Sequence, residues 1–223
     1  MKRLQGKRTV ITQVGAFMGK DLMALFQSEG ADVIAANRDL RLRDAAEALI
    51  GEAGEVDVLF ANLAAEQPRT SALDTTDETF RAMYEAMVFP LHRLVRAVLP
   101  QMIERRRGKT VVIGSASGLK GMANYSAYGS ARGTQLAYVQ TWAQRSRGGR
   151  ARQCNCSDLC REQNLRSRKL PEHWGVQGAH QRRADRTIGA WVGIGCIGLV
   201  PCRRRRGLFV GQVFPFSGGW ITR

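Results

Sequence analysis

Over its first 140 positions the chain alternates short apolar runs with stretches that carry apolar residues at helical spacing. Arg8-Thr9-Val10-Ile11-Thr12 is rich in β-branched residues and reads as a strand. Beyond a turn that holds Gly15 and Gly19, Leu22, Leu25 and Phe26 recur at helical spacing as far as Gly30. Residues 31–36 read as a second strand, 42–53 as a helix, and Val56 to Asn62 as a third strand. Phe80, Tyr84, Met87, Leu91, Val95, Val98 and Met102 mark one long helix with a bend expected at Pro90. Lys109 to Gly114 reads as a fourth strand and 126–143 as a further helix. Strands this uniformly apolar are those of a parallel sheet buried on both faces. Alternation of strands and helices implies right-handed βαβ units and an open parallel sheet. Between the second and third strands there is room for one helix and little more.

In such sheets ligands bind beyond the carboxyl ends of the strands. Thr12, Asn62 and Ser115 all fall at those ends. Ser115 stands thirteen residues before Tyr128, and Arg132 follows Tyr128 by four. On a helix, Tyr128 and Arg132 share a face one turn apart. A guanidinium beside a phenol favours the phenolate, which suits acid/base work, and Ser115 would offer a hydroxyl to a substrate oxygen. Ser117 and Tyr125 compete for these roles. The spacing favours Ser115, and only Tyr128 has a cation four residues on.

The Ser–Tyr spacing resembles the short-chain dehydrogenase/reductase superfamily, which implies a Rossmann-like open sheet with helices on both faces. That superfamily usually places Lys where Arg132 stands, and writes the turn after its first strand as Thr-Gly-x-x-x-Gly-x-Gly. Here the turn reads Thr12-Gln13-Val14-Gly15-Ala16-Phe17-Met18-Gly19, so Gln13 and Phe17 replace two glycines that let a pyrophosphate approach the backbone. The bulk of Phe17 disfavours a dinucleotide; the bland alternative is a core Phe in a diverged turn. Ala86 stands where the superfamily often has an Asn on the long helix, and Asn62-Leu63-Ala64-Ala65 only loosely resembles its Asn-Asn-Ala-Gly turn. Tyr-x-x-x-Arg together with the lost glycines resembles the halohydrin dehalogenases. From Leu4 to Gln140 the chain looks most like their B-type branch. The resemblance implies a cofactor-independent reaction in which Ser115 and Tyr128 bind a vicinal haloalcohol and Tyr128, activated by Arg132, takes its proton. The products are an epoxide and halide, and in reverse small anions open epoxides. It also implies a halide pocket near Phe17 and Asn62 and the loop after the family's sixth strand. A homo-oligomer, dimer or tetramer, would form through the helices at 79–105 and 126–143. The runner-up is an NAD(P)-dependent oxidoreductase of the same fold.

Composition changes the picture only beyond residue 142. The chain of 223 residues carries a net charge of +15. Residues 145–206 hold 14 Arg and Lys169 against Asp158, Glu162, Glu172 and Asp185, together with all five Cys. Up to about Ile188 this segment shows neither helical nor strand periodicity. A strand expected there would carry Arg152, Cys154 and Asn155 into a sheet interior, where an unpaired charge is costly, so impaired folding and activity of the chain as written are expected. Then 207–223 restores a final strand and a Gly-Gly turn. A regular start, a regular end and an Arg-, Gly-, Cys- and Trp-rich middle point to out-of-frame translation of a GC-rich gene. A one-nucleotide shift across Arg152 to Asn164 permits Val-Asn-Ala-Ile, the superfamily's strand motif. The whole chain is expected to form one domain. The Arg-rich runs lack interleaved aromatics, which argues against specific nucleic-acid binding. Cys154, Cys156 and Cys160 with His173 and His180 lack paired metal-ligand spacing, so no metal is expected. His92, beside Arg93 and Arg96, reads as a solvated or interface residue. No run of 18 apolar residues and no signal-peptide apolar region occur, so a cytoplasmic protein is expected.

Overall fold

The computed structural model describes residues 2–66, 68–145, 154–160 and 212–216. Six parallel strands form one sheet in the order β2-β1-β3-β4-β5-β6. They are β1 (Arg8–Thr12), β2 (Asp32–Ala36), β3 (Val58–Ala61), β4 (Lys109–Ile113), β5 (Cys154–Cys160) and β6 (Gln212–Phe216). Between them run α1 (Gly19–Ser28), α2 (Ala45–Ala53), α3 (Asp77–Met83), α4 (Phe89–Glu104) and α5 (Ser126–Arg145). One helix, α2, joins β2 to β3, as the short span between them requires.

The apolar runs of β1, β3 and β4 are buried on both faces because alternate residues of each strand serve opposite layers, whereas β2, expected to be buried, lies at the sheet's edge with Asp32 and Ala35 exposed. Val10, Leu59, Ala61 and Val112 pack with α2 and α4. Ile11, Val58, Phe60, Val111 and Ile113 pack with α1, where Phe26 meets Phe60 edge-on at 5.4 Å between ring centroids. The carboxyl ends of β1, β3 and β4 therefore stand side by side on a rigid base.

The long helix is not simply bent at Pro90. It is interrupted just before it by a π-helical turn, Tyr84–Val88, that separates α3 from α4. Pro90 has no N–H to donate, and the Phe89 N–H reaches back five residues to the Tyr84 carbonyl. Within this wider turn the Met87 carbonyl accepts a side-chain hydrogen bond from Gln135.

In the segment without periodicity the structure has a strand. Cys154–Cys160 pairs with β4, Lys109 opposite Cys154 and Ile113 opposite Asp158. Pairing runs through backbone N–H and C=O groups, which every residue but proline carries, so an open β4 edge can recruit a strand that lacks an apolar code. Arg152 and the Gly-Gly turn lie outside the described residues. The final strand is β6, and its Pro215 sits on the outer strand of the described sheet, where a missing donor is tolerated.

His92 bridges helices: its Nδ1 lies 2.9 Å from the Tyr138 hydroxyl, tying α4 to α5. Burial pushes the Tyr138 phenol above its ordinary value, partly offset by Arg96. Among the described residues no helix is long and apolar enough to cross a membrane, and no cluster of His, Cys, Asp and Glu could hold a metal ion.

Candidate active site

Ser115 follows β4 and caps a short 3-10 turn, Ala116–Gly118. Its Oγ accepts from the Ser117 N–H at 3.3 Å and from the Ser117 hydroxyl at 2.9 Å. Both lone pairs are thus occupied, and the Ser115 O–H is left to donate elsewhere. Ser117 spends its own proton on Ser115 and is buried, which makes it a support for Ser115 rather than its substitute. The turn lies hard against α5. A Cβ on Gly118 would come within 2.7 Å of the Arg132 carbonyl carbon and 2.8 Å of the Gly133 nitrogen, so this contact requires glycine. That contact brings the Ser115 turn onto the helix that carries Tyr128 and Arg132.

Tyr128 is buried in an apolar cluster with Met83, Met87, Ala127 and Ala131, and Ala86 packs at its edge. Its hydroxyl has no hydrogen-bond partner among the described residues. Tyr125 packs edge-on against it at 6.0 Å, beneath the Arg69 guanidinium, and its place is at the side of the pair.

Arg132 is only 4% exposed. Its guanidinium carbon stands 5.1 Å from the Tyr128 ring centroid, over the face of the ring. Nη1 donates to the Ile113 carbonyl at 3.0 Å and to Gln135 Oε1 at 2.9 Å, while Nε is buried without a partner. A charge this deep needs hydrogen bonds to hold it. Gln135 supplies one of them, and its Nε2 donates to the Met87 carbonyl of the π turn at 2.8 Å. A chain of contacts therefore runs from the π turn through Gln135 to Arg132 and the Tyr128 ring. Gln135 is absent from the sequence expectations. The signal was there in its spacing, because Arg132, Gln135, Leu136 and Val139 fall on one buried stripe of α5 and a Gln on such a stripe needs a polar partner. Replacing Gln135 with the similarly sized Met should lower stability by about 2 kcal/mol, since Met87 and Arg132 both lose a partner. Thermal melting checks this, with a turnover loss of roughly tenfold expected alongside.

The β1–α1 turn keeps the backbone of a glycine turn without its glycines. Gln13 and Phe17 have φ of 47° and 54°, a region that L-residues seldom occupy. Gly19 is retained, and a Cβ there would lie 2.5 Å from the Val14 Cα. Phe17 is 58% exposed, so the reading of it as a core residue does not hold. Asn62 is buried, and its Nδ2 donates to the carbonyls of Gln13 at 3.2 Å and Ala16 at 3.1 Å. The buried Thr12 donates its hydroxyl to the Asn62 carbonyl at 3.0 Å. Asn62 and Thr12 thus brace the turn, and Asn62 retains one buried, unpartnered oxygen, Oδ1. Away from these strand ends, between α2 and α4, lies a groove of about 650 Å³ lined in part by Arg43, Glu47, Arg93, Arg96 and Gln101; it holds none of the sequence-predicted residues.

An open parallel sheet with a Ser turn, a Tyr and a buried cation at its carboxyl edge defines an enzyme-like α/β protein of nucleotide-fold topology. Residues 3–150 match the short chain dehydrogenase family, and the chain belongs to it. It is 35% identical over 148 residues to 2-keto-3-deoxy-L-fuconate dehydrogenase of Xanthomonas campestris pv. campestris, covering 57% of this chain and 49% of that protein. The chain spans about half the length of the curated relatives it matches first. Among solved structures it is similar to one described as a dehalogenation enzyme, with a TM-score of 0.80, 23% identity and coverage of 99% of this chain and 100% of that one. It is also similar to a candidate betaketoacyl-ACP reductase, with a TM-score of 0.78, 23% identity and coverage of 97% and 98%. At that identity both likenesses speak for the fold alone.

Proposed function

We propose that this site converts vicinal haloalcohols to epoxides and halide without a nicotinamide cofactor. The observation that carries the reading is the β1–α1 turn. A dinucleotide-binding turn of this fold uses glycine where the backbone must approach the pyrophosphate. Here both left-handed positions bear side chains, Gln13 and Phe17, and residues held this way cost on the order of 1–3 kcal/mol each. Side chains at these two positions do not fit a dinucleotide. An exposed aromatic ring at Phe17 suits the displaced halide.

The chemistry needs only Ser115, Tyr128 and Arg132. The Ser115 O–H and Tyr128 hydroxyl hold the substrate hydroxyl. Tyr128, acting as the base, accepts the substrate's hydroxyl proton. The resulting alkoxide oxygen forms a bond to the adjacent carbon as the carbon–halogen bond breaks, and its electron pair leaves with the halide. The proton on Tyr128 returns to solvent. Arg132, with its guanidinium carbon 5.1 Å from the ring centroid, supplies the positive charge that stabilises negative charge on the phenol oxygen.

A second reading is an NAD(P)-dependent oxidoreductase that uses the same Tyr128 and Arg132. It is favoured by the curated relatives, which are dehydrogenases and reductases, and by the retained Gly19. One assay separates the two. Halide release from 1,3-dichloro-2-propanol in cofactor-free buffer is the expected result. Carbonyl reduction that requires NADPH, with no halide release, overturns the first reading.

The out-of-frame origin of 142–206 belongs to the same proposal, because the halide loop implied by the resemblance falls there. Sequencing the gene across codons 140–207 is expected to show a shifted frame. An intact frame with ordinary codon usage defeats it.

A further inference from the structure

The strand order β2-β1-β3 reverses at β1, whose two neighbours are the strands that come next in the chain. The crevice between the ends of β1 and β3 is therefore the switch point where open α/β sheets bind ligands. Gln13 follows β1 and Ala64 lies just beyond β3. Gln13 Oε1 accepts the Ala64 N–H at 2.6 Å, directly across that crevice. The neighbouring bonds from Thr12 and Asn62 end on backbone carbonyls, which any residue at position 13 would keep. Only the bond to Ala64 depends on the Gln side chain. We infer that the Gln13 carboxamide is a specificity-determining latch, closing the switch-point crevice to a dinucleotide and holding the exit of β3 against the turn. This rests on the cofactor-free reading above, and it gives the Gln13 side chain a share in excluding the nucleotide beyond the turn's left-handed backbone.

The test is a gain of binding. Gln13→Gly removes the latch and suits the left-handed backbone. Gln13→Asn keeps an amide and tolerates that backbone, but is one methylene shorter. NADPH is titrated against each variant and the parent chain by its fluorescence, with Phe17 unchanged. Both variants are expected to bind NADPH at least about tenfold more tightly than the parent, equivalent to 1.4 kcal/mol. Should Gln13→Gly not fold, Gln13→Asn carries the same comparison, with its folding checked by a cooperative melt. Folded variants that gain no affinity overturn the latch. If the parent itself binds NADPH as tightly as the variants, the latch and the cofactor-free reading both fall. If the parent releases halide without cofactor while the variants gain no NADPH affinity, only the latch fails.

Discussion

Tyr128→Phe will lower halide release from a vicinal haloalcohol by about 10³-fold while leaving the melting temperature nearly unchanged. The ring is packed among Met83, Met87, Ala127 and Ala131, and Phe keeps every one of those contacts. The hydroxyl has no hydrogen-bond partner among the described residues, so its removal leaves no buried group orphaned there. Loss of activity without loss of stability is the signature of a group that works on substrate. Initial rates of halide release and a thermal melt on the same sample check the prediction. A variant that keeps its rate would remove Tyr128 from the reaction.

Arg132→Met will act on both quantities. The guanidinium bonds the Ile113 carbonyl and Gln135, and both lose a partner when it goes. A cost of about 2–4 kcal/mol in stability is expected, with a fall in turnover of about 10² as the positive charge over Tyr128 disappears. Arg132→Lys should keep more of the rate than Met, because charge is retained, yet less than the parent. An ammonium on a flexible stem does not reproduce a planar donor fixed by two partners. Urea unfolding and kcat for the three proteins decide it. A Met variant as active as the Lys variant would show that charge at this position is dispensable.

The sequence carried the sheet well, because apolar runs and helical spacing report burial directly. β1, α1, β3, β4 and α5 fall where their patterns place them, and Thr12, Asn62 and Ser115 stand at the strand ends as expected. The misses have physical causes. A π turn has no apolar code; it arises from backbone bonding around a residue that cannot donate. Gln135 stands on a buried helical stripe and Gln13 at a motif glycine position, yet the partner at the far end of each one's long-range hydrogen bond cannot be read from the sequence. β5 was invisible to periodicity because a ladder reads backbone, not side chains. Phe17 was expected to matter by its bulk, and the structure adds that its backbone is held in a left-handed state.

That backbone state sets heat resistance against turnover. Glycine at position 17 would relieve the left-handed torsion and raise the melting point, while deleting the ring proposed to receive the departing anion. A library screened for survival at high temperature alone would drift toward glycine there and go silent. One screened for product would keep an aromatic and accept a lower melting point.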